Sequence, residues 1–189
     1  MSSIAKEIIK YGKLVEKYGL ISSHSGNISV RDGDYIYITK TKTMLGSLKE
    51  EDIIKIALFK EDNAEKYASM ETIVHKEIYK NTDKTAIIHT HPVYAITLSL
   101  LLDSFIPVDS EGRYILENVP VLKVKQSIAS KEVADKIHLI LNKYKTCIVK
   151  GHGVFTSADS LEQAFYFTTV LETSSKIYYK TKLWISKVF

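Results

Sequence analysis

Ile87-Ile88-His89-Thr90-His91-Pro92 decides how this chain is read. Two histidines alternate with a threonine at the end of an apolar, β-branched run. In a strand, residues i and i+2 project from one face, so His89 and His91 point together. Two convergent imidazoles are two of the three protein ligands of a catalytic zinc site, which keeps a fourth position open. A third histidine stands in Gly151-His152-Gly153, where the flanking glycines permit a tight turn and close backbone approach. Taken alone, the His-x-His pair also suits surface or capping histidines. A third imidazole in a loop after a second buried strand narrows that choice, because irregular segments held by a rigid sheet are where sites form.

Outward from this stretch the sequence reads as alternating elements. Apolar residues at Ile4, Ile8, Val15 and Tyr18 have helical spacing over 3–18, and Gly19 suits the stop. Ile28-Ser29-Val30, the turn signal Arg31-Asp32-Gly33-Asp34 and Tyr35-Ile36-Tyr37-Ile38 read as a hairpin. A short helical start near 48–52, a strand over 53–59 and a charged surface loop over 60–66 follow. Helices are predicted over 70–80, over 93–102 opened by Pro92, over 130–142 with a serine at its start, and over 160–182. Strands are predicted over 85–89, 119–124 and 146–149. Irregular alternation with a hairpin near the front points to an α/β layered domain whose sheet is at least partly antiparallel.

Composition excludes several classes. With 189 residues, 45% hydrophobic and 25% charged, one domain with a substantial core is expected over 1–189. The net charge of +4 is spread without a block of like charges, and the only arginines are Arg31 and Arg113. That argues against a nucleic-acid surface, where planar bidentate recognition is the rule. No stretch approaches the roughly 20 apolar residues of a membrane helix, and the charged N-terminus lacks a signal-peptide core. Cys147 is the only cysteine, so no intrachain disulfide is possible and a cytoplasmic location is expected.

Other polar residues invite assignment. Glu71 opens a predicted helix; a carboxylate there is favoured by the helix dipole with or without chemistry. His75, one turn on, reads as structural or as a support for a ligand, and His24 and His138 as surface residues. The loops at 25–29 and 39–43 offer hydroxyls, amides and backbone N–H groups, with Lys40 or Lys42 adding charge. Such loops bind phosphate or simply turn the chain. Gly-x-x-x-x-Gly-Lys is absent, so neither is a nucleotide phosphate loop.

Together, Ser25-Gly26-Asn27-Ile28-Ser29, Met70-Glu71-Thr72 with His75, His89-Thr90-His91-Pro92 and Gly151-His152-Gly153 resemble the class II aldolase/epimerase family, which includes fuculose-phosphate aldolase, ribulose-phosphate 4-epimerase and methylthioribulose-phosphate dehydratase. The resemblance covers nearly the whole chain. It implies a three-layer α/β/α domain with a mostly antiparallel central sheet. It further implies zinc on His89, His91 and His152 with Glu71 as an additional ligating carboxylate, and a substrate phosphate held by Asn27, Thr41 and Ser69. Homotetramers with sites between subunits are also implied.

This sequence departs from the aldolase pattern in three places. Ser69-Met70 stands where those aldolases carry two serines, and Lys42 where they carry glycine, which makes the phosphate loop more cationic. The tyrosine they lend from a neighbouring subunit has no clear counterpart; Asp109-Ser110-Glu111-Gly112-Arg113-Tyr114 occupies that region, offering Glu111 or Tyr114. Tyr178 and Tyr179 are expected to pack. The expected reaction is cleavage of a phosphorylated ketose to dihydroxyacetone phosphate and an aldehyde, through an enediolate stabilised by zinc. Glu71 is the base and Tyr114 or Glu111 the second acid. Manganese or cobalt also suits imidazole and carboxylate ligands. The alternatives are a dehydratase in which Glu111 moves the proton, a 4-epimerase, or a metal-free structural interaction domain.

Overall fold

A computed structural model describes residues 2–188, with side chains through Ile185. The chain begins with helix α1 (Ser3–Lys17), capped by the Ser2 hydroxyl and ended at Gly19, whose φ of +66° suits the helix stop. Then follow β1 (Asn27–Asp32), β2 (Tyr35–Thr39) and β3 (Ile53–Ala57). Next come α2 (Thr72–Asn81), β4 (Ala86–Thr90), α3 (Val93–Leu101), β5 (Ser104–Phe105), α4 (Ser110–Ile115) and β6 (Val119–Leu122). The chain ends with α5 (Lys131–Leu141), β7 (Thr146–Val149), β8 (Gly153–Ala158) and α6 (Leu161–Val188).

One eight-stranded sheet runs in the order β3-β2-β1-β4-β8-β7-β6-β5. Every neighbouring pair is antiparallel except β6 and β7. Strand alternation sorts its side chains into two layers. Ile36, Ile87, Cys147, Val149 and Phe155 face α2 and α5, meeting Val74, Ile78, Val133 and Ile137. Ile28, Ile88 and Ala158 face the other way, onto α1 and the start of α6. Ile148 and Val154 pack with Ala95 of α3 and Leu171 of α6. The arrangement is the expected α/β/α sandwich with a mostly antiparallel sheet. Among the described residues no helix is long and apolar enough to cross a membrane.

Three local differences from the sequence reading have physical causes. The strand β8, not anticipated, is buried along its whole length, so it shows no alternation of polar and apolar residues. The segment around Glu111 is a short helix, N-capped by Asp109, which accepts the Gly112 N–H at 2.8 Å. The helical start near 48–52 is two 3-10 turns, Leu45–Ser47 and Glu50–Asp52. Cys147 is fully buried in β7, and burial pushes its thiol up to about 12.

Candidate metal centre

β4 lies between β1 and β8, with His89 opposite Asn27 on one side and Phe155 on the other. That register stacks the His89 ring on Phe155, with centroids 4.1 Å apart and planes inclined by 21°. The His89 Nδ1–H donates to the Val154 carbonyl at 3.0 Å, which leaves the Nε2 lone pair facing outward. His91 sits one residue past the end of the strand; its backbone N–H donates to the Leu20 carbonyl at 2.8 Å.

His152 arrives on the turn between β7 and β8, where both glycines are required. Gly151 has φ +69°, a left-handed conformation that disfavours a Cβ. A Cβ on Gly153 would lie 2.6 Å from the Thr90 carbonyl oxygen and 2.8 and 2.9 Å from the rings of His91 and His89. Only glycine lets β8 begin this close to the histidines.

The ligand atoms of His89, His91 and His152 all lie within 4.8 Å of one another, and the Nε2 atoms of His89 and His91 are 3.0 Å apart. Nitrogens bound to a tetrahedral zinc at about 2.0–2.1 Å are separated by about 3.3 Å, so the spacing fits a shared ion. Burial first, and then the neighbouring imidazoles, hold His89 well below the usual histidine range. His91 is lowered to about 4 by burial and His152 beside it, and burial also lowers His152. Neutral imidazoles are the metal-binding form.

Glu71 stands at the N-cap of α2, buried, with Oε1 3.8 Å from His152 Nε2. Oε1 accepts the Ala129 N–H at 2.9 Å, while Oε2 is buried with no hydrogen-bond partner among the described residues. Burial pushes this carboxyl up to about 7, against the pull of the Ala129 N–H. His75 is fully buried and bonded through Nδ1 to Ser29 Oγ at 2.6 Å. Its ring meets the edge of Phe155, so it supports the floor of the site from beneath.

The histidines and Glu71 form the floor of a cleft of ≈ 470 Å³, whose walls include Asn27, Thr41, Lys42 and Ser69. The two polar loops are stitched into one wall. Thr41 N–H donates to the Tyr67 carbonyl, Ser69 N–H donates to the Thr39 carbonyl, and Lys40 bridges to Ala68. Asn27 Oδ1 is buried without a partner among the described residues. Lys42 has φ +62°, a conformation that costs a side-chain-bearing residue about 1–2 kcal/mol relative to the ordinary regions. A lysine held there places its charge at the mouth of the cleft.

Glu111 and Tyr114 are elsewhere: they do not line this cleft in their own chain. Glu111 accepts the Tyr166 hydroxyl at 3.3 Å, and Tyr114 is 84% exposed. Tyr178 packs edge-on against Phe105 and Tyr179 against Tyr94, as packing residues. His24, read as a surface residue, is exposed but borders the cleft, and His138 is half-buried. Sequence reasoning passed over Met70, Ile128 and Ala129 as site residues. Ala129 turns its N–H toward Glu71 with φ +47°, a conformation no residue type announces.

The family described as Class II Aldolase and Adducin N-terminal domain matches residues 6–179. An L-fuculose phosphate aldolase of Methanococcus maripaludis (strain C7) is 31% identical over 175 residues, spanning 90% of this chain and 93% of that protein. A 5-deoxy-D-ribulose 1-phosphate aldolase of Bacillus thuringiensis serovar kurstaki is 28% identical over 181 residues, spanning 94% and 84%. The crystal structure of L-fuculose-1-phosphate aldolase from Thermus thermophilus matches with a TM-score of 0.93 and 32% identity, over 97% of this chain and 96% of that one.

Proposed function

Because the chain belongs to the class II aldolase and adducin family, we propose that it is a metal-dependent lyase that reversibly cleaves a phosphorylated ketose, of the fuculose 1-phosphate kind, into dihydroxyacetone phosphate and an aldehyde. The observation that carries this reading is the convergence of three neutral imidazoles and an uncommitted carboxylate oxygen on one cleft floor. His89, His91 and His152 would hold the ion, zinc in the first instance, with Glu71 beside it as a further ligand; manganese and cobalt suit the same donors. Bound there, the metal supplies Lewis-acid polarisation of a carbonyl and of the oxygen next to it.

The chain's own residues do the rest. Asn27, Thr41, Lys42 and Ser69 bind the phosphate, the lysine adding charge at the mouth. In the condensation direction, Glu71 takes a proton from the carbon beside the dihydroxyacetone phosphate carbonyl. That carbon bonds to the aldehyde carbon, and a second acid protonates the aldehyde oxygen. In cleavage the same transfers run in reverse. A carboxyl pushed up to about 7 is poised to accept and return a proton near neutral pH. Tyr114 or Glu111 of a neighbouring subunit is the second acid, within a cytoplasmic homotetramer whose sites lie between subunits.

The test is release of dihydroxyacetone phosphate from a panel of ketose 1-phosphates, including L-fuculose and 5-deoxy-D-ribulose 1-phosphates. Release that stops with chelator and returns with zinc is expected; no release from any member overturns the reading. Glu71→Gln should lower kcat about 10²–10⁴-fold with zinc retained. If Glu111→Gln is the more damaging of the two, the chemistry is dehydration.

A further inference from the structure

α3 starts directly after His91-Pro92, and its first turn has no cap of its own. Pro92 occupies the N-cap position and offers no side-chain acceptor. The leading N–H groups of a helix have no partner within it, yet here they are answered from a distant element. Tyr94 N–H donates to Glu172 Oε1 and Ala95 N–H to Glu172 Oε2, each at 3.0 Å. One carboxylate of α6 thus spans two donors at the positive end of the α3 dipole, in charge-assisted bonds. Tyr94 adds a ring contact to Tyr179, also on α6, at 5.5 Å between centroids.

The same helix reaches the third histidine. Ser99 is fully buried, and its hydroxyl accepts the Gly151 N–H at 3.0 Å while donating to the Ile96 carbonyl at 2.6 Å. Gly151 directly precedes His152, at a left-handed turn whose geometry sets where that ring points. α3 therefore holds His91 by its first turn and His152 by its last turn. Neither Glu172 nor Ser99 borders the cleft.

We infer that Glu172 and Ser99 are positioning residues of the metal centre: α3 is a strut that fixes His91 relative to His152, and Glu172 pins the strut to α6. The inference rests on the metal reading of the three histidines. Without the Glu172 carboxylate, two N–H groups lose their acceptor in the turn that carries His91-Pro92. Without the Ser99 hydroxyl, the turn before His152 loses its anchor. Neither change removes a ligand; each loosens the distance between two.

Zinc affinity of the folded, purified protein, measured by competition with a chromophoric chelator, tests this, alongside the visible absorption of the cobalt-loaded protein. Melting of the metal-free protein is recorded in parallel. Glu172→Ala is expected to bind zinc about tenfold or more weakly, the range seen when a partner outside the ligand set is lost, and to alter the cobalt bands. Glu172→Gln, which keeps one acceptor oxygen, should fall between it and the unsubstituted protein. Ser99→Ala should weaken zinc binding from the other end of α3. Ser2→Ala removes the cap of α1, where Ser2 Oγ accepts the Ala5 N–H; it should lower the melting temperature and leave zinc affinity unchanged. If Glu172→Gln and Ser99→Ala behave like Ser2→Ala, the strut is merely structural and the inference is wrong, and these two variants decide the matter even where Glu172→Ala does not fold. If the unsubstituted protein binds no zinc, the metal reading itself fails and the strut falls with it.

Discussion

The cleft floor and α4 present two opposite ways of placing a reactive group. His89, Glu71 and their supports are buried among strands and helices, each ring or carboxylate stacked, bonded or hemmed in by glycine. Glu111 and Tyr114 ride on a six-residue helix, and Tyr114 is 84% exposed. A metal site needs fixed distances among neutral ligands, and a single chain supplies them by packing. The second acid proposed for α4 would meet its substrate from outside and needs reach instead, which the exposure of Tyr114 provides.

The sharpest way to break this contrast is to remove a ligand. His152→Ala should abolish zinc binding and turnover together, measured by metal analysis and dihydroxyacetone phosphate release. Tyr114→Phe should leave zinc content unchanged. A Tyr114→Phe protein that loses its metal would erase the distinction between the two regions.

Stability offers the next test. Phe155→Ala takes a buried ring from beneath His89 and His75 and should cost about 3–5 kcal/mol in urea unfolding. Tyr114→Ala, on the surface, should stay within about 0.5 kcal/mol.

The smallest effect is a pH slope. Burial lowers His75 to about 3, so between the unfolded histidine value of about 6.5 and that point only the unfolded chain takes up the proton. This stability is fully present above pH 6.5 and declines as pH falls, by up to about 1.4 kcal/mol per pH unit for such a group. His91, lowered to about 4, acts in the same direction. Glu71, raised to about 7, acts in the opposite one, gaining its proton in the folded state first. With more lowered histidines than raised carboxyls, metal-free protein should unfold at progressively lower urea below pH 6.5. Substitutions in α4 should leave that slope as it is.

Much of this was legible in the sequence wherever local spacing carries the information. The His-x-His strand end, the glycine-bracketed His152 and the hairpin through Gly33 are short-range signals, and the structure has them where they were read. The resemblance supplied the sandwich. What escaped notice depends on distant parts meeting. β8 is buried on both faces, Thr156 and Ser157 included, and so lacks a strand's period of polar and apolar residues. Ala129 reaches Glu71 across 58 positions by a backbone bond that leaves no mark on residue type. Glu172 lies 78 positions from the helix it caps. Its one local trace is negative: a helix opening on Pro92 with no acceptor nearby calls for a partner elsewhere.

Cys147 has a consequence for observing the molecule. It is the only thiol in the chain, it lies within β7 between β6 and β8, and burial leaves almost none of it as thiolate at neutral pH. The thiolate is the reactive form, so a thiol reagent meets it only when the sheet parts around β7. The rate of labelling therefore counts openings of the sheet's interior, and the native chain carries its own clock for them without an added probe.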